Sequence, residues 1–327
     1  MNVASDVYFD PFDLGIRARP YAVYGRLRDE APLFYNATHD FFVVSRFDDV
    51  ERLLTDRDSF ISSKGGVLDV LKSGIEMPPG MFIFEDPPLH TKHRGLVSRI
   101  FTPKSMSAIE PQIRAYCAST LDRLVGRDGF DFVRDIGAEV PMRVIGMLLG
   151  IPESDQVALR DRLEESMQGT YDESRIDEPL QGLNQSFEAF GEYVDWRADH
   201  PSDDLMTMML TIEFEDHTGM IRRLTRDEIL TYVILIAAAG NDTTNRLIGW
   251  TGKVLSDHPD ACRQLVEDPS LVPNAIEEIL RFEPRLEGRV VLDEVLKRFP
   301  TWQVDEDRAR LTDDFLTRGW EALPVSV

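Results

Sequence analysis

The chain has 327 residues, 43% of them hydrophobic and 29% charged, a soluble globular balance long enough for one large domain or two smaller ones. Its net charge of −22 argues against nucleic acid and anionic membrane surfaces as partners, and no run of roughly 18 apolar residues exists to span a bilayer. The start, Met1-Asn-Val-Ala-Ser-Asp-Val7, lacks the basic and then apolar segments of a signal peptide, and two cysteines, Cys117 and Cys262, make no disulfide framework, so a monomer in a reducing cytoplasm is expected.

The pattern along the chain is mainly α, with strands confined to short pieces and no repeat or interdomain linker. Pro20 to Glu30 reads as a first helix. Leu33-Phe-Tyr35 and Phe41-Phe-Val-Val44 flank the polar cluster Asn36 to Asp40 and predict a hairpin. Asp48 to Thr55 is a short amphipathic helix with an acidic first turn. Residues 62–84, rich in Gly, Pro, Met and Phe, have no period and suit a lid or pocket wall. After Pro87-Pro88 a helix runs to about Phe101, and Thr102-Pro103 stops it. Further helices are predicted near 105–126, 138–149, 154–168 and 180–199.

The most informative element begins at Thr225. Thr225-Arg-Asp-Glu228 is a capping box, and the helical pattern continues to about Asp257, where His258-Pro259 ends it. Ile229 to Gly240 is apolar almost all round, which predicts burial. Asn241, Asp242, Thr243 and Thr244 then follow, abruptly polar. Gly240 would let a large group approach the backbone. Asp242 beside Thr243 makes an acid and a hydroxyl able to exchange and orient protons. Alternatively, the threonines bond back to carbonyls four residues earlier and the aspartate caps a bend.

Two further patterns stand out. His90 and Arg94, four apart on one helix face, suit a carboxylate or phosphate ligand, or are simply a surface helix. His90 and His93 could share a metal only weakly, since no carboxylate lies at a matching spacing. Lys92, Arg94, Arg99 and Lys104 form a basic island, either a docking surface or a solvated face. Glu278-Ile-Leu-Arg281 taken alone is a helix ion pair. A terpene-cyclase-like magnesium site at Asn241-Asp242 fails, because the positions needed for its other ligands are Asn245 and Gly249 and no Asp-Asp-x-x-Asp occurs.

In this order, Asp86-Pro-Pro-Leu-His90-Thr-Lys-His-Arg94, Ala239-Gly-Asn-Asp-Thr-Thr244 and Glu278-Ile-Leu-Arg281 resemble three signatures of the bacterial cytochrome P-450 family of haem-thiolate monooxygenases. Phe42-Val-Val-Ser-Arg-Phe-Asp-Asp-Val50 and Arg318-Gly-Trp-Glu-Ala-Leu-Pro-Val325 are similar to that family as well, so the resemblance covers nearly the whole chain, 1–327, as a single domain. It implies a haem b cofactor and insertion of one oxygen atom from O2 into a hydrophobic organic substrate. It also implies that His90 and Arg94 hold the haem propionates and that Ala239 and Gly240 line the oxygen pocket. Asp242 and Thr243 would then deliver protons to dioxygen, and Glu278 and Arg281 would anchor the proximal core. Pocket walls would fall in 62–84, around 165–183 and at about 232–240. The segment 89–104 would meet a ferredoxin- or flavin-type electron donor.

One departure from the family is equally informative. The family's Phe-x-x-Gly-x-x-x-Cys-x-Gly loop, which carries the axial cysteine, is missing. Arg281-Phe-Glu-Pro284 runs directly into Arg285-Leu-Glu-Gly-Arg-Val-Val-Leu, a string that resembles the helix after that loop. The fold is therefore expected to be incomplete between the parts 1–284 and 285–327. Either the chain is a deleted, haem-free and inactive relative, or the complete protein holds residues at this junction that this sequence does not. The second is the expectation adopted. The carbonyl carbon of Pro284 and the nitrogen of Arg285 should then lie many ångströms apart, rather than the roughly 1.33 Å of a peptide bond. Neither Cys117 nor Cys262 is placed to substitute for the missing ligand.

Overall fold

In the computed structural model, described at residues 6–66, 68–74, 77, 78, 80–167, 178–282, 289–312 and 318–327, the chain is mainly helical with four small antiparallel sheets. The Pro284/Arg285 junction and the pocket-wall region at 168–177 lie outside the described residues. Two compact units form, one of residues 1–76 with 83–87, the other of 77–82 with 88–327.

The first unit holds α1 (Leu14–Ala18), α2 (Pro20–Glu30), β1 (Leu33–Asn36), β2 (Phe41–Val44), α3 (Phe47–Thr55) and α4 (Leu68–Ser73). The hairpin forms as its sequence predicts, Leu33 opposite Val44 and Asn36 opposite Phe41. Asn36, fully buried, fixes the turn by accepting from the amides of Thr38 and His39, and it donates to the carbonyl of Phe9. The helix α4 was not legible, because it falls inside the aperiodic stretch 62–84.

The second unit opens with α5 (Leu89–Ile100) and α6 (Pro103–Asp122). Thr102 caps α6 by accepting from the amide of Ser105 at 3.2 Å, with Pro103 at the first helical position where no donor is needed. β3 (Gly129–Asp131) leads into one π-helical turn, Phe132–Gly137, then α7 (Val140–Leu149), α8 (Glu153–Met167), α9 (Glu178–Asp199) and α10 (Leu205–Thr211). β4 (Glu213–Glu215) and β5 (Ile221–Arg223) pair as a hairpin before the 32-residue α11 (Arg226–Asp257). After it come α12 (Pro259–Glu267), α13 (Val272–Phe282), α14 (Arg289–Arg298) and the strands β6 (Gln303–Val304), β7 (Arg310–Leu311), β8 (Trp320–Ala322) and β9 (Pro324–Ser326). β9 lies between β3 and β6, tying the C-terminal segment to the start of the π-helical turn. Strands after the late helix were expected in 285–327, but each is too short for alternation to fix its bounds.

Two buried clusters form the core of this unit. One gathers α6, the π-helical turn, the later half of α11 and α14 around Leu121, Phe132, Ile136, Leu247 and Val295. The other gathers α7, α9, α10 and the first half of α11 around Leu149, Phe190, Met206, Leu230 and Val233. Fully buried members on α11 stop at Ala237 in one cluster and resume at Leu247 in the other. Between them the helix is only partly covered, with Ala239 exposed and Asn241 alone fully buried.

Candidate active site on the middle of the long helix

The start of α11 is over-determined. Thr225 accepts from the amide of Glu228 at 3.2 Å, and the Glu228 carboxylate accepts from the amide of Thr225 at 2.8 Å. Arg222 then clamps the same carboxylate with two bonds of 2.7 Å. Burial pushes the Glu228 carboxyl up, but Arg222 and the Thr225 amide outweigh it and hold it below the usual range. From this fixed start the helix is buried from Ile229 to Leu235.

The expectation of burial all round fails at the helix centre. Ile236, Ala238 and Gly240 are only partly covered and Ala239 is exposed. Ile236, Ala239 and Thr243, spaced i, i+3 and i+7, share one face. That face is small, mostly apolar and open along its middle, although the helix is buried at both ends. Gly240 faces α7 on one side, where a Cβ would stand 3.1 Å from Cδ1 of Ile145.

The polar residues follow directly. The Thr243 hydroxyl donates to the carbonyl of Ala239 at 2.5 Å, the back-bonded alternative named for it above. Asp242 caps no bend. Its Oδ1 lies 3.1 Å from Nη2 of Arg246, with both side chains largely buried, while its Oδ2 is buried without a hydrogen-bond partner. Sequence reading missed Arg246, although the i, i+4 spacing of Asp242 and Arg246 was a sufficient signal.

On α5, His90 is half-buried and Arg94 exposed, and neither has a salt-bridge partner among the described residues. His93 does not join His90. It is buried edge-on to Tyr232 of α11 and to Phe214, with ring centroids 6.1 and 6.4 Å away, and so packs α5 on the long helix. Among the described residues no group of three metal-binding side chains converges. Lys92 pairs with Glu215 at 3.1 Å, whereas Arg94, Arg99 and Lys104 stay exposed without an ion-pair partner among the described residues. Glu278 and Arg281 hold each other with two bonds of 2.7 Å, both exposed to solvent.

No family model matches the sequence. A putative cytochrome P450 123 of Mycobacterium tuberculosis, however, is 30% identical over 282 residues, which cover 85% of this chain and 68% of that protein. The chain belongs to the cytochrome P450 family. A vitamin D(3) 25-hydroxylase of Pseudonocardia autotrophica is 30% identical over 267 residues, 81% of this chain and 64% of that one. Two solved cytochrome P450 structures share the fold. A P450 EryK mutant in complex with erythromycin B superposes with a TM-score of 0.83 at 23% identity, covering 95% of this chain and 97% of that one. CYP109Q5 from Chondromyces apiculatus gives 0.82 at 23% identity, with 97% of each chain covered. Cytochrome P450 enzymes are haem-dependent monooxygenases, and haem b is the cofactor that membership implies.

The residues present fit haem on one side only. The open strip of α11 around Ala239 offers a flat group an apolar face, and the Arg94 guanidinium on α5 is free to meet an anion. The axial position has no donor in this sequence. Cys117 and Cys262 are the only cysteines, and each is at most 2% exposed within the core. Burial pushes the Cys117 thiol up to about 12 and raises that of Cys262, whose Sγ donates to the carbonyl of Pro300 at 3.4 Å. A haem ligand must be an accessible thiolate, and neither cysteine qualifies.

Proposed function

We propose that this cytochrome P450 chain handles protons for oxygen insertion through Asp242 and Thr243, on the open stretch of α11. The observation that carries the reading is the exposure of Ala239 in the middle of a helix that is buried before and after it, which puts an acid and a hydroxyl beside an open apolar strip. Haem, when bound, would supply the activation of dioxygen. The chain's own residues bind, orient and move protons around it. Ala239 and Gly240 line the oxygen side. His90 and Arg94 hold the two propionates, a donor pair one helical turn apart on α5. Asp242 takes a proton on its unpartnered Oδ2 when water enters beside it and passes it on, and the Thr243 hydroxyl orients the proton acceptor by giving up its bond to the Ala239 carbonyl.

The substrate is a hydrophobic organic molecule, in keeping with Ile236 and Ala239 on the open face. The electron donor is an acidic ferredoxin or flavoprotein docking on segment 89–104, whose cations Arg99 and Lys104 are exposed. Among the described residues no helix is long and apolar enough to cross a membrane, and the cytoplasm is the compartment we assign. Glu278 and Arg281 anchor the proximal side in the complete enzyme, where the residues that cover them also bring the cysteine. The residues missing at Pro284/Arg285 are assigned from the sequence alone; the relative is longer, with 68% of it matched by 85% of this chain.

Haem reconstitution with absorption spectroscopy, alongside intact mass of the natural protein, tests this reading. A mass above that of these 327 residues and a thiolate-type spectrum are expected of the natural protein, and weak haem uptake without thiolate character of the chain as written. A natural protein with the mass of this chain and no haem would establish the inactive alternative.

A further inference from the structure

We propose that Arg246 is a positioning residue for Asp242, holding one oxygen of the buried carboxylate so that the other stays free to take and release a proton. The inference rests on Asp242 being the proton-handling acid and adds the group that aims it.

Three observations converge on Arg246. The first is a two-handed grip: Nη2 meets Asp242 Oδ1 at 3.1 Å while Nη1 donates to the carbonyl of Trp320 at 3.0 Å. One guanidinium thereby ties the acid of α11 to the backbone of β8. Only the planar fork of arginine holds two acceptors in this fixed relation, since a lysine ammonium on a flexible stem satisfies one geometry at a time. The second is burial. An exposed i, i+4 pair is transient and weak. Here the side chains of Arg246 and Asp242 are only 13% and 17% exposed, where breaking a pair strands a charge. The third is room made on purpose. Gly319 lies against the stem of Arg246, and a Cβ there would stand 2.2 Å from its Cδ and 3.0 Å from its Cβ. Any side chain at 319 expels the arginine from its path. A glycine more than 70 residues away along the chain is thus required by one side chain of α11.

The consequence for Asp242 is asymmetry. Oδ1 lies 3.1 Å from the Arg246 guanidinium as an ion pair, whereas Oδ2 is buried with no hydrogen-bond partner. Without Arg246 the carboxylate would rotate freely and lose the distinction between its oxygens.

The test uses carbon-13 NMR of the protein labelled at the aspartate carboxyl carbons. Asp242→Asn identifies the resonance by its loss. Arg246→Gln and Gly319→Ala are both expected to shift that resonance while leaving the other aspartate signals in place. Arg246→Lys is expected to shift it less than Arg246→Gln. If Arg246 only braced β8, the Asp242 resonance would stay where it is in all three variants, and the proposal would be overturned. Should Arg246→Gln fail to fold, Gly319→Ala decides alone, because it keeps every charge. Failure to bind haem would defeat the functional reading and leave a shifted resonance standing. An unshifted resonance in a protein that turns over would defeat the role of Arg246 and leave that reading intact.

Discussion

The middle of α11 and the seam between α6 and α14 are built on opposite plans. Around Ala239 the long helix is open on one face, Thr243 bonds back within the helix, and Arg246 reaches Asp242 and β8. The seam, in contrast, is closed by charge. Arg114 of α6 reaches both Asp293 and Glu294 of α14. Lys297 and Arg298 bind Glu294 at 2.8 and 2.9 Å, and Arg298 returns to Asp122 of α6 at 2.7 Å. Beneath these charges Leu292 and Val295 are buried. The late helix is therefore held by ion pairs to α6, whereas the strip of α11 around Ala239 stays open among the described residues. The difference explains how a sequence without the axial cysteine keeps the family fold: the scaffold and the cofactor cavity draw on different contacts.

The comparison breaks most visibly at Glu294. Its side chain is 6% exposed and serves three cations, so Glu294→Ala should cost about 3 kcal/mol in urea unfolding, at the low end for a broken buried pair because Arg114 and Lys297 stay partly in water. Burial raises its carboxyl, but Lys297, Arg114 and Arg298 outweigh that and bring it down to about 2 from an unfolded value of 4.5. A depressed folded value stabilises the protein above pH 4.5 and is lost as pH falls toward 2. The wild type should accordingly lose stability through that window, and Glu294→Gln should flatten the loss. An unchanged acid profile in the variant would mean that other carboxylates govern it.

Second in size is Gly252, in the closed half of α11, where an added Cβ would stand 2.7 Å from the ring of Phe132. Gly252→Ala should destabilise by about 1–3 kcal/mol through overpacking, read from the same urea midpoints. Ala239→Leu, thirteen residues earlier on the same helix, should change stability by less than about 0.5 kcal/mol, because its side chain enters open space. It should nevertheless lower haem uptake. A large loss of stability at Ala239 would show that the strip is closed and the comparison wrong.

How far the sequence alone reached follows the same division. The ends of α11 were legible, since Thr225 and Glu228 form a local capping box and His258-Pro259 is a local stop. The family signatures placed Asp242, Thr243, His90 and Arg94 on their helices. The seam was not legible. Asp293-Glu294 and Lys297-Arg298 look like a solvated helix face, and their partner Arg114 is 180 residues away from Glu294. The apolar run through Gly240 misled for the converse reason: hydrophobicity states that a face must be covered, not whether protein or another group covers it. The π-helical turn at Phe132–Gly137 has no sequence signal that we recognise.

The smallest effect on stability belongs to Thr243, and it sharpens the reading of the open strip. Its hydroxyl donates to the Ala239 carbonyl at 2.5 Å, which is a bond of the kind that slightly bends a helix and contributes little to it. Thr243→Ala should therefore change the urea midpoint by only a few tenths of a kcal/mol. In the complete enzyme carrying its axial cysteine, the same variant should bind haem normally and yet consume reductant without forming product in proportion. Thr243→Ser, which restores the hydroxyl, should recover the coupling that Thr243→Ala loses. The two properties separate the alternatives cleanly. A residue that only satisfies a carbonyl would alter neither coupling nor stability, and a residue that only fills space would be rescued by Thr243→Val. Restoration by serine and not by valine assigns the effect to the hydroxyl, and so to proton delivery beside Asp242.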